Sequence, residues 1–343
     1  MAHDLFATYA LGGVIQTLRP TVPGFWLNFF TREFLFETEE VDFDIVTVDR
    51  KIAPFVMPTV EGRPQRERGF TVQKHKPAYI KVKNIVNPRR TLERQPGEQF
   101  GGSLTPAARE AALIASYLAD HRSQVERRWN WMAAQAMLNG TITLSGDDYP
   151  TTTIDFGRAA GQTITLGSGS RWGDSGIVAL DNIETWSTTV FNAVGYPVDV
   201  VIMGTTAWTA FRKDTDLRAL NLLQQGADRL GGLDIVPGSG APLQYKGTDG
   251  MRQFWVYSES YDTDETTSVA MMDPRDVLLV ASAGIAGARC FGAILDIELL
   301  RAQSLFTKSW TIPDPSARVL LTQSAPMMVM GRVNSCLKAR VVA

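Results

Sequence analysis

Residues 47–94 read TVDRKIAPFVMPTVEGRPQRERGFTVQKHKPAYIKVKNIVNPRRTLER. Pro54, Pro58, Pro64, Pro77 and Pro88 punctuate the stretch. Proline lacks a backbone donor and clashes with the preceding helical turn, so no helix can run through it. Phe70/Val72 and Ile80/Val82 alternate with Thr71 and Lys81, the period of a strand pair. The segment therefore reads as a protruding two-stranded arm. Ordering about 40 residues costs on the order of 40 kcal/mol, which about 1,600 Å² of apolar burial would offset. The arm's few apolar side chains do not supply that, and a lone hairpin is marginal in water. The arm is expected to order on another surface, a neighbouring copy of the chain.

Charge is laid out around this arm in blocks. The whole chain of 343 residues carries a net charge of only −2. Yet Glu33, Glu37, Glu39, Glu40, Asp42, Asp44 and Asp49 fall in one run without Lys or Arg, a local −7. From Glu61 to Arg94 the basic residues are Arg63, Arg66, Arg68, Lys74, Lys76, Lys81, Lys83, Arg89, Arg90 and Arg94, against Glu61, Glu67 and Glu93, a local +7. Each block alone reads equally as a solvated face, and the basic one also as a nucleic-acid patch. Equal and opposite blocks favour contact between subunits, where exposed charges set register and orientation more than affinity.

Upstream, Pro20, Pro23 and Gly24 precede Phe25-Trp26-Leu27-Asn28-Phe29-Phe30, the end of an extended arm whose aromatics must sit against a core or a partner, with the core favoured. Downstream, residues 95–103 form a glycine-rich connection, and the strongest helix pattern in the chain follows. Thr105 is placed to cap it, Pro106 suits its first position, and Gly140 ends it. Ile114, Leu118, Val125, Trp129, Met132 and Ala136 form one apolar stripe along a helix about 50 Å long. Such a helix wants a long sheet beneath it, for which 141–144, 151–156, 163–166 and 319–322 are the candidate strands. A change of composition near 172–181 opens a second unit. There 198–203 reads as a buried strand, Thr205 as the cap of a helix from Thr206, 214–223 as a further helix, 243–246 and 253–257 as a hairpin about a 247–250 turn, and 277–280 as a strand. Mixed α/β packing fits this order.

The longest apolar run, 277–288, is about a dozen residues, well short of the ~20 that cross a bilayer. The first ten residues do not read as a signal peptide, so a cytoplasmic product is expected. Cys290 and Cys336 read as buried free thiols in strands, and His3, His75 and His121 have no partner at metal-ligand spacing. Gly238-Ser239-Gly240 reads as a flexible loop, and Asp147-Asp148 and Asp262/Asp264/Glu265 as solvated turns. No catalytic residue, cofactor site or metal site is expected.

Taken in order, the residues resemble the major capsid protein E family of lambda-like tailed phages. The anchors are 29–33 (FFTRE) with 37–41 (ETEEV), Asn87-Pro88, 91–96 (TLERQP), 137–140 (MLNG), 308–310 (KSW), 314–318 (DPSAR) and 323–328 (QSAPMM). The resemblance implies an α+β chain with the Hong Kong 97-type capsid fold. Its parts would be an N-terminal arm and docking segment at 1–46 and an extended loop at 47–95, lying over the adjacent subunit. A peripheral domain would take 96–179 and 292–327, with its spine helix at 105–139, and an axial domain 180–291 and 328–343. It also implies pentamers and hexamers closing into an icosahedral shell around double-stranded DNA, scaffolding and portal proteins during assembly, and in some members a decoration protein. Expected intersubunit residues are Arg63, Arg66, Arg68, Lys81, Lys83, Arg89, Arg90 and Arg94 against Glu37, Glu39, Glu40, Asp42 and Asp44. Two other readings stand beside the virion shell: an encapsulin-like nanocompartment with the same fold, and a monomeric nucleic-acid binder using the basic arm, whose affinity would fall steeply with salt.

Overall fold

The computed structural model describes residues 24–38, 40–46, 70–93, 105–146, 149–214, 243–263, 267–299 and 302–343, with 53, 55, 57, 59 and 61 between them. Residues 1–23, the 95–103 connection, the glycines at 238 and 240, and the helix expected over 215–223 lie outside that set. In chain order the first elements are β1 (Arg32–Leu35), β2 (Val41–Val46), β3 (Phe70–His75), β4 (Ile80–Val86), α1 (Pro88–Leu92), α2 (Pro106–Asn139), β5 (Thr141–Gly146), β6 (Tyr149–Asp155) and β7 (Thr163–Thr165). There follow α3 (Ala179–Val194), β8 (Val200–Met203), α4 (Thr205–Phe211), β9 (Leu243–Asp249), β10 (Arg252–Tyr257), β11 (Ser260–Asp262), β12 (Ser268–Ala270) and β13 (Asp276–Val280). The chain closes with β14 (Gly287–Phe291), β15 (Phe306–Ile312), β16 (Ala317–Ser324), β17 (Pro326–Met330) and β18 (Cys336–Arg340). It divides into two compact units, one of 1–41, 74–132 and 288–328, the other of 42–73, 133–287 and 329–343.

The first unit is organised by α2. Its ends fall where local chemistry places them: Thr105 Oγ1 accepts from the Ala108 amide at 3.2 Å, and Gly140 adopts φ +68° past the last turn. Ile114, Leu118, Val125, Met132 and Ala136 are buried as the stripe requires. The N-terminal half of the helix seats on the sheet β15-β16-β4, where Leu113, Ile114 and Leu118 pack with Val86 and Leu320. The same unit holds the aromatic segment as a short 3-10 turn, Phe25–Phe29, with Phe25, Trp26, Leu27 and Phe30 buried in the core. Asn130 of α2 accepts the Trp26 amide at 3.1 Å, and Arg289 donates to the carbonyls of Phe30 and Leu27 at 2.7 and 3.0 Å.

Two expectations are corrected here. The strands at 70–75 and 80–86 exist but are not each other's partners: β3 pairs with β2, and β4 pairs antiparallel with β16, Lys83 opposite Leu321. The link between them does not turn back, because Pro77 and Ala78 are buried and Tyr79 is anchored. Its hydroxyl accepts the Leu295 amide and donates to Gln323, both at 3.0 Å. Half of the expected arm is therefore ordered by its own chain. The strands expected as one long sheet under α2 also exist, but in three sheets: β5 with β6, β7 parallel to β18, and β16 between β15 and β4. Alternation identifies a strand and one buried face; it does not name the partner.

The second unit is a six-stranded sheet, order β7-β18-β13-β8-β10-β9, with α3 and α4 packed on it. β8 and β13 are buried at every residue, as near-continuous apolar runs should be. Trp172 stacks on Trp186 with centroids 6.2 Å apart, and Phe211 joins Trp172 to Phe254. The hairpin β9–β10 is as expected except that the strand runs through Gly247, at φ +147°, and turns at Gly250. The cap of α4 is corrected: Gly204, not Thr205, holds that position, with no side-chain cap bond. Instead the Pro274 carbonyl accepts from the Thr206 and Ala207 amides at 3.0 and 2.9 Å, and the backbone approaches so closely that a Cβ on Gly204 would lie 2.4 Å from that oxygen.

Replacing Gly204 by Ala is accordingly expected to destabilise this unit by about 1–3 kcal/mol, read as a lower Tm by circular dichroism, whereas Thr205→Ala leaves Tm nearly unchanged.

Candidate intersubunit surface

Because strand side chains alternate, committing one face of β4 to α2 turns the other outward. Lys81, Lys83 and Ile85 are exposed, while Val86 is buried under Leu113 and Ile114. Register across the sheet sets Ile85, Val319 and Trp310 in one row, and Lys83, Leu321 and Lys308 in the next. The Lys83 and Lys308 ammonium groups stand 5.9 and 5.8 Å from the Trp310 ring centroid, and Lys81 lies 5.1 Å from that of Tyr79. At the end of this face nearer Lys81, the segment 292–299 folds over the sheet and packs Ile294 and Leu299 against Phe306, Ala325 and Tyr79. Asp296 fastens it, taking Lys308 at 2.5 Å and Gln323 at 2.9 Å. Burial pushes the Asp296 carboxyl up, but bonds from Lys308, the Glu298 amide and Gln323 hold it below its ordinary value.

The sheet continues into α1, which is capped by Asn87 through the Arg89 amide at 3.1 Å. Arg89 and Arg90 are exposed there, Arg89 pairing with Glu93 at 3.4 Å. On the acidic side, Glu37 and Glu40 are exposed in the turn after β1, which the Thr38 hydroxyl closes by donating to the Glu40 carbonyl at 2.6 Å. The Ala293 amide donates to the Thr38 carbonyl at 3.0 Å. All four residues of β1 are exposed although it pairs in parallel with β14.

Of the expected contact residues, Lys81 and Lys83 thus share one strand face, Arg89 and Arg90 follow on the next helix, and Glu37 and Glu40 share one turn. Asp42 and Asp44 lie on β2, with side chains outside the described residues, as are Arg63, Arg66, Arg68, Arg94 and Glu39. Asp147, Asp148, Asp264 and Glu265 also fall outside. Among the described residues no ion pair joins Glu37 or Glu40 to Lys81, Lys83 or Arg89.

Sequence reasoning missed the buried polar groups. His121, on the face of α2 that meets the sheet, lies 2.9 Å from the Thr322 hydroxyl, which is 3.2 Å from that of Thr307. Its Nε2 is buried without a partner among the described residues, and burial lowers its pKa, with nearby Asp120 opposing. Arg158 donates to the carbonyls of Leu138, Met137 and Ala136, satisfying the last turn of α2. In the second unit Asp276, almost wholly buried, meets Arg340 at 2.9 Å and Lys338 at 3.1 Å, while the hydrogen bond from Arg275, aided by Arg340, holds Asp273 well below the usual carboxylate range. Burial pushes the free thiols Cys290 and Cys336 up to about 11 and about 12, which leaves them protonated and inert. No group of three or more metal-ligating side chains occurs among the described residues, and no described helix is long and apolar enough to cross a membrane.

This mixed helix-and-sheet architecture is a phage capsid fold. The crystal structure of a candidate capsid protein from an Escherichia coli CFT073 prophage superposes with a TM-score of 0.75 at 22% identity, covering 98% of this chain and 99% of that one. A family model for phage major capsid protein E matches residues 7–341, and the chain belongs to that family. The major capsid protein of Enterobacteria phage P21 is 31% identical over 312 residues, 88% of this chain and 89% of that protein. The major capsid protein of Escherichia phage lambda is 27% identical over 314 residues, 90% and 91% of the two chains.

Two outcomes follow from the buried groups. A native pKa for His121 below the unfolded value of about 6.5 means that the unfolded chain takes up a proton the native one refuses. Stability is complete above about pH 7 and falls as pH drops through about 6.5, so the Tm gap between pH 7.5 and pH 5.5 should be larger in the native sequence than in His121→Gln; equal gaps would count against this. A thiol reagent at pH 8 should label neither cysteine in the folded chain and both after denaturation.

Proposed function

We propose that this phage capsid protein is the shell subunit of a tailed-phage head, with a Hong Kong 97-type fold, closing as pentamers and hexamers into an icosahedral particle around double-stranded DNA. The observation that carries the reading is the family match over nearly the whole chain, with relatives at about 90% mutual coverage named as major capsid proteins. The relatives matched at this coverage are named for a structural part of the head. The role is structural, without catalysis.

In this reading 1–46 is the arm and docking segment and 47–95 the extended loop reaching the adjacent subunit. The domain with α2 is peripheral (96–179 and 292–327), and the domain with β8, β9, β10, β13 and β18, five of the six strands of the larger sheet, is axial (180–291 and 328–343). The protein assembles in the host cytoplasm with scaffolding and portal proteins and ends in the virion; a decoration protein binds outside in some members of the family. Its basic residues, Arg63, Arg66, Arg68 and Arg94 with Lys81, Lys83, Arg89 and Arg90, meet the acidic residues Glu37, Glu39, Glu40, Asp42 and Asp44 of another copy. Such charges steer encounter and fix register, while burial of apolar surface holds the contact.

Reversing Arg63, Arg66 and Arg68 to Glu should leave a soluble subunit with native circular dichroism that forms no particles by negative-stain microscopy. Shells of normal size from that variant would contradict the assignment of the loop.

A further inference from the structure

The outer face of the sheet β15-β16-β4 pairs apolar exposure with cations. Ile85 is 55% exposed and Trp310 39% exposed, in one row of the sheet, flanked by Lys83 and, two residues further along β4, by Lys81. No carboxylate pairs with Lys81 or Lys83 among the described residues; both point to aromatic rings instead. A second exposed feature of the same unit has the opposite character: Phe34 and Leu35, 47% and 50% exposed at the end of β1, run directly into the turn bearing Glu37 and Glu40. Each patch is an apolar pair beside a charged pair, and the charges are of opposite sign.

We propose that these two patches are partners between copies: the end of β1 and its acidic turn on one chain seat against the Ile85–Trp310 face on the next, Leu35, the last residue of the strand, on the apolar row, Phe34 on the opposite face of β1 at its edge, and Glu37 and Glu40 toward Lys81 and Lys83. This rests on the shell reading and deepens it, since the charged blocks alone name no contact core. Two arguments select a second copy as occupant. The charges complement each other and find no partner across the two sets within the described chain. The spacing also fits: Lys81 and Ile85 lie four residues apart on β4, about 14 Å, while Glu37 lies three residues and Glu40 six residues beyond Phe34, at most about 10 and about 20 Å, which brackets that span. Different patches on the two partners make the contact head-to-tail, the kind that closes rings and extends lattices rather than stopping at a dimer. Aromatic and aliphatic side chains at the centre with charges at the rim is the anatomy of a protein interface.

The test is a charge exchange on the full-length chain, with particle yield read by sedimentation and negative-stain microscopy and folding checked by circular dichroism. Lys81→Glu/Lys83→Glu and Glu37→Lys/Glu40→Lys should each reduce particle yield at least tenfold, and the four changes together should restore at least half of it. Independently, Glu37→Cys with Lys83→Cys should give intermolecular disulfide oligomers under mild oxidation, whereas Glu37→Cys with Arg212→Cys, the latter on the other unit, should not. Particles of normal yield from either charge-reversed pair, no recovery in the quadruple variant, or equal cross-linking in the two cysteine pairs would overturn the docking. If a reversed variant does not fold, the cysteine pairs decide. A native chain that forms no particles overturns the shell reading; native particles with uncoupled charge variants overturn the docking alone.

Discussion

The seat of one long helix on one small sheet governs the rest of the first unit. A 34-residue helix with a single apolar stripe cannot cover that stripe itself. It is covered by Val86 and Leu320 at one end, where Arg318 adds a 3.0 Å pair with Glu110, and by the buried aromatic turn around Trp26 further along. Once β4 gives alternate side chains to α2, period two leaves Lys81, Lys83 and Ile85 no choice but the opposite face. The candidate surface is thus a consequence of core packing. Moving it requires shifting the register of β4, which would expose Val86 and bury lysines.

Local chemistry was legible in the sequence, and distant partners were not. The helix was bounded to the residue because Thr105, Pro106 and Gly140 act within one turn of their own positions. The composition of the aromatic run is enough to place it in the core, and the neighbours of the two thiols to place them in strands. Strand existence is also legible, whereas pairing is not: alternation in β4 fits a hairpin with β3 as well as it fits β16, more than 200 residues away. What redirected it is Tyr79, whose bonds to Leu295 and Gln323 depend on tertiary structure. The same holds for Gly204, which has no cap side chain because Pro274 supplies the acceptor.

The buried polar groups explain why the candidate site was only half visible. His121 and Asn130 lie on a helix whose stripe was read from apolar residues alone, and their partners, Thr322 and the Trp26 amide, are about 200 and 100 residues distant. Arg158 carries no local signal that it will satisfy the carbonyls ending α2. Charge blocks, by contrast, are visible in any sequence, but block charge does not distinguish a solvated face from an interface. The exposed apolar row of Ile85 and Trp310 is the feature that favours an interface, and it appears only when β4 and β15 are brought onto one sheet. A family match over residues 7–341 then gives such a surface a reason to exist, since a capsid protein must present adhesive faces that its own fold leaves uncovered.

The central claim is that this chain is a folded subunit whose outer sheet face is completed only by a neighbouring copy. Electron cryo-microscopy of particles formed by the purified full-length chain, at side-chain resolution, addresses it directly. The account predicts a closed shell in which Ile85 and Trp310 of every copy are covered by an adjacent chain. Monomers alone, or a shell in which that face lies open to solvent, would contradict it.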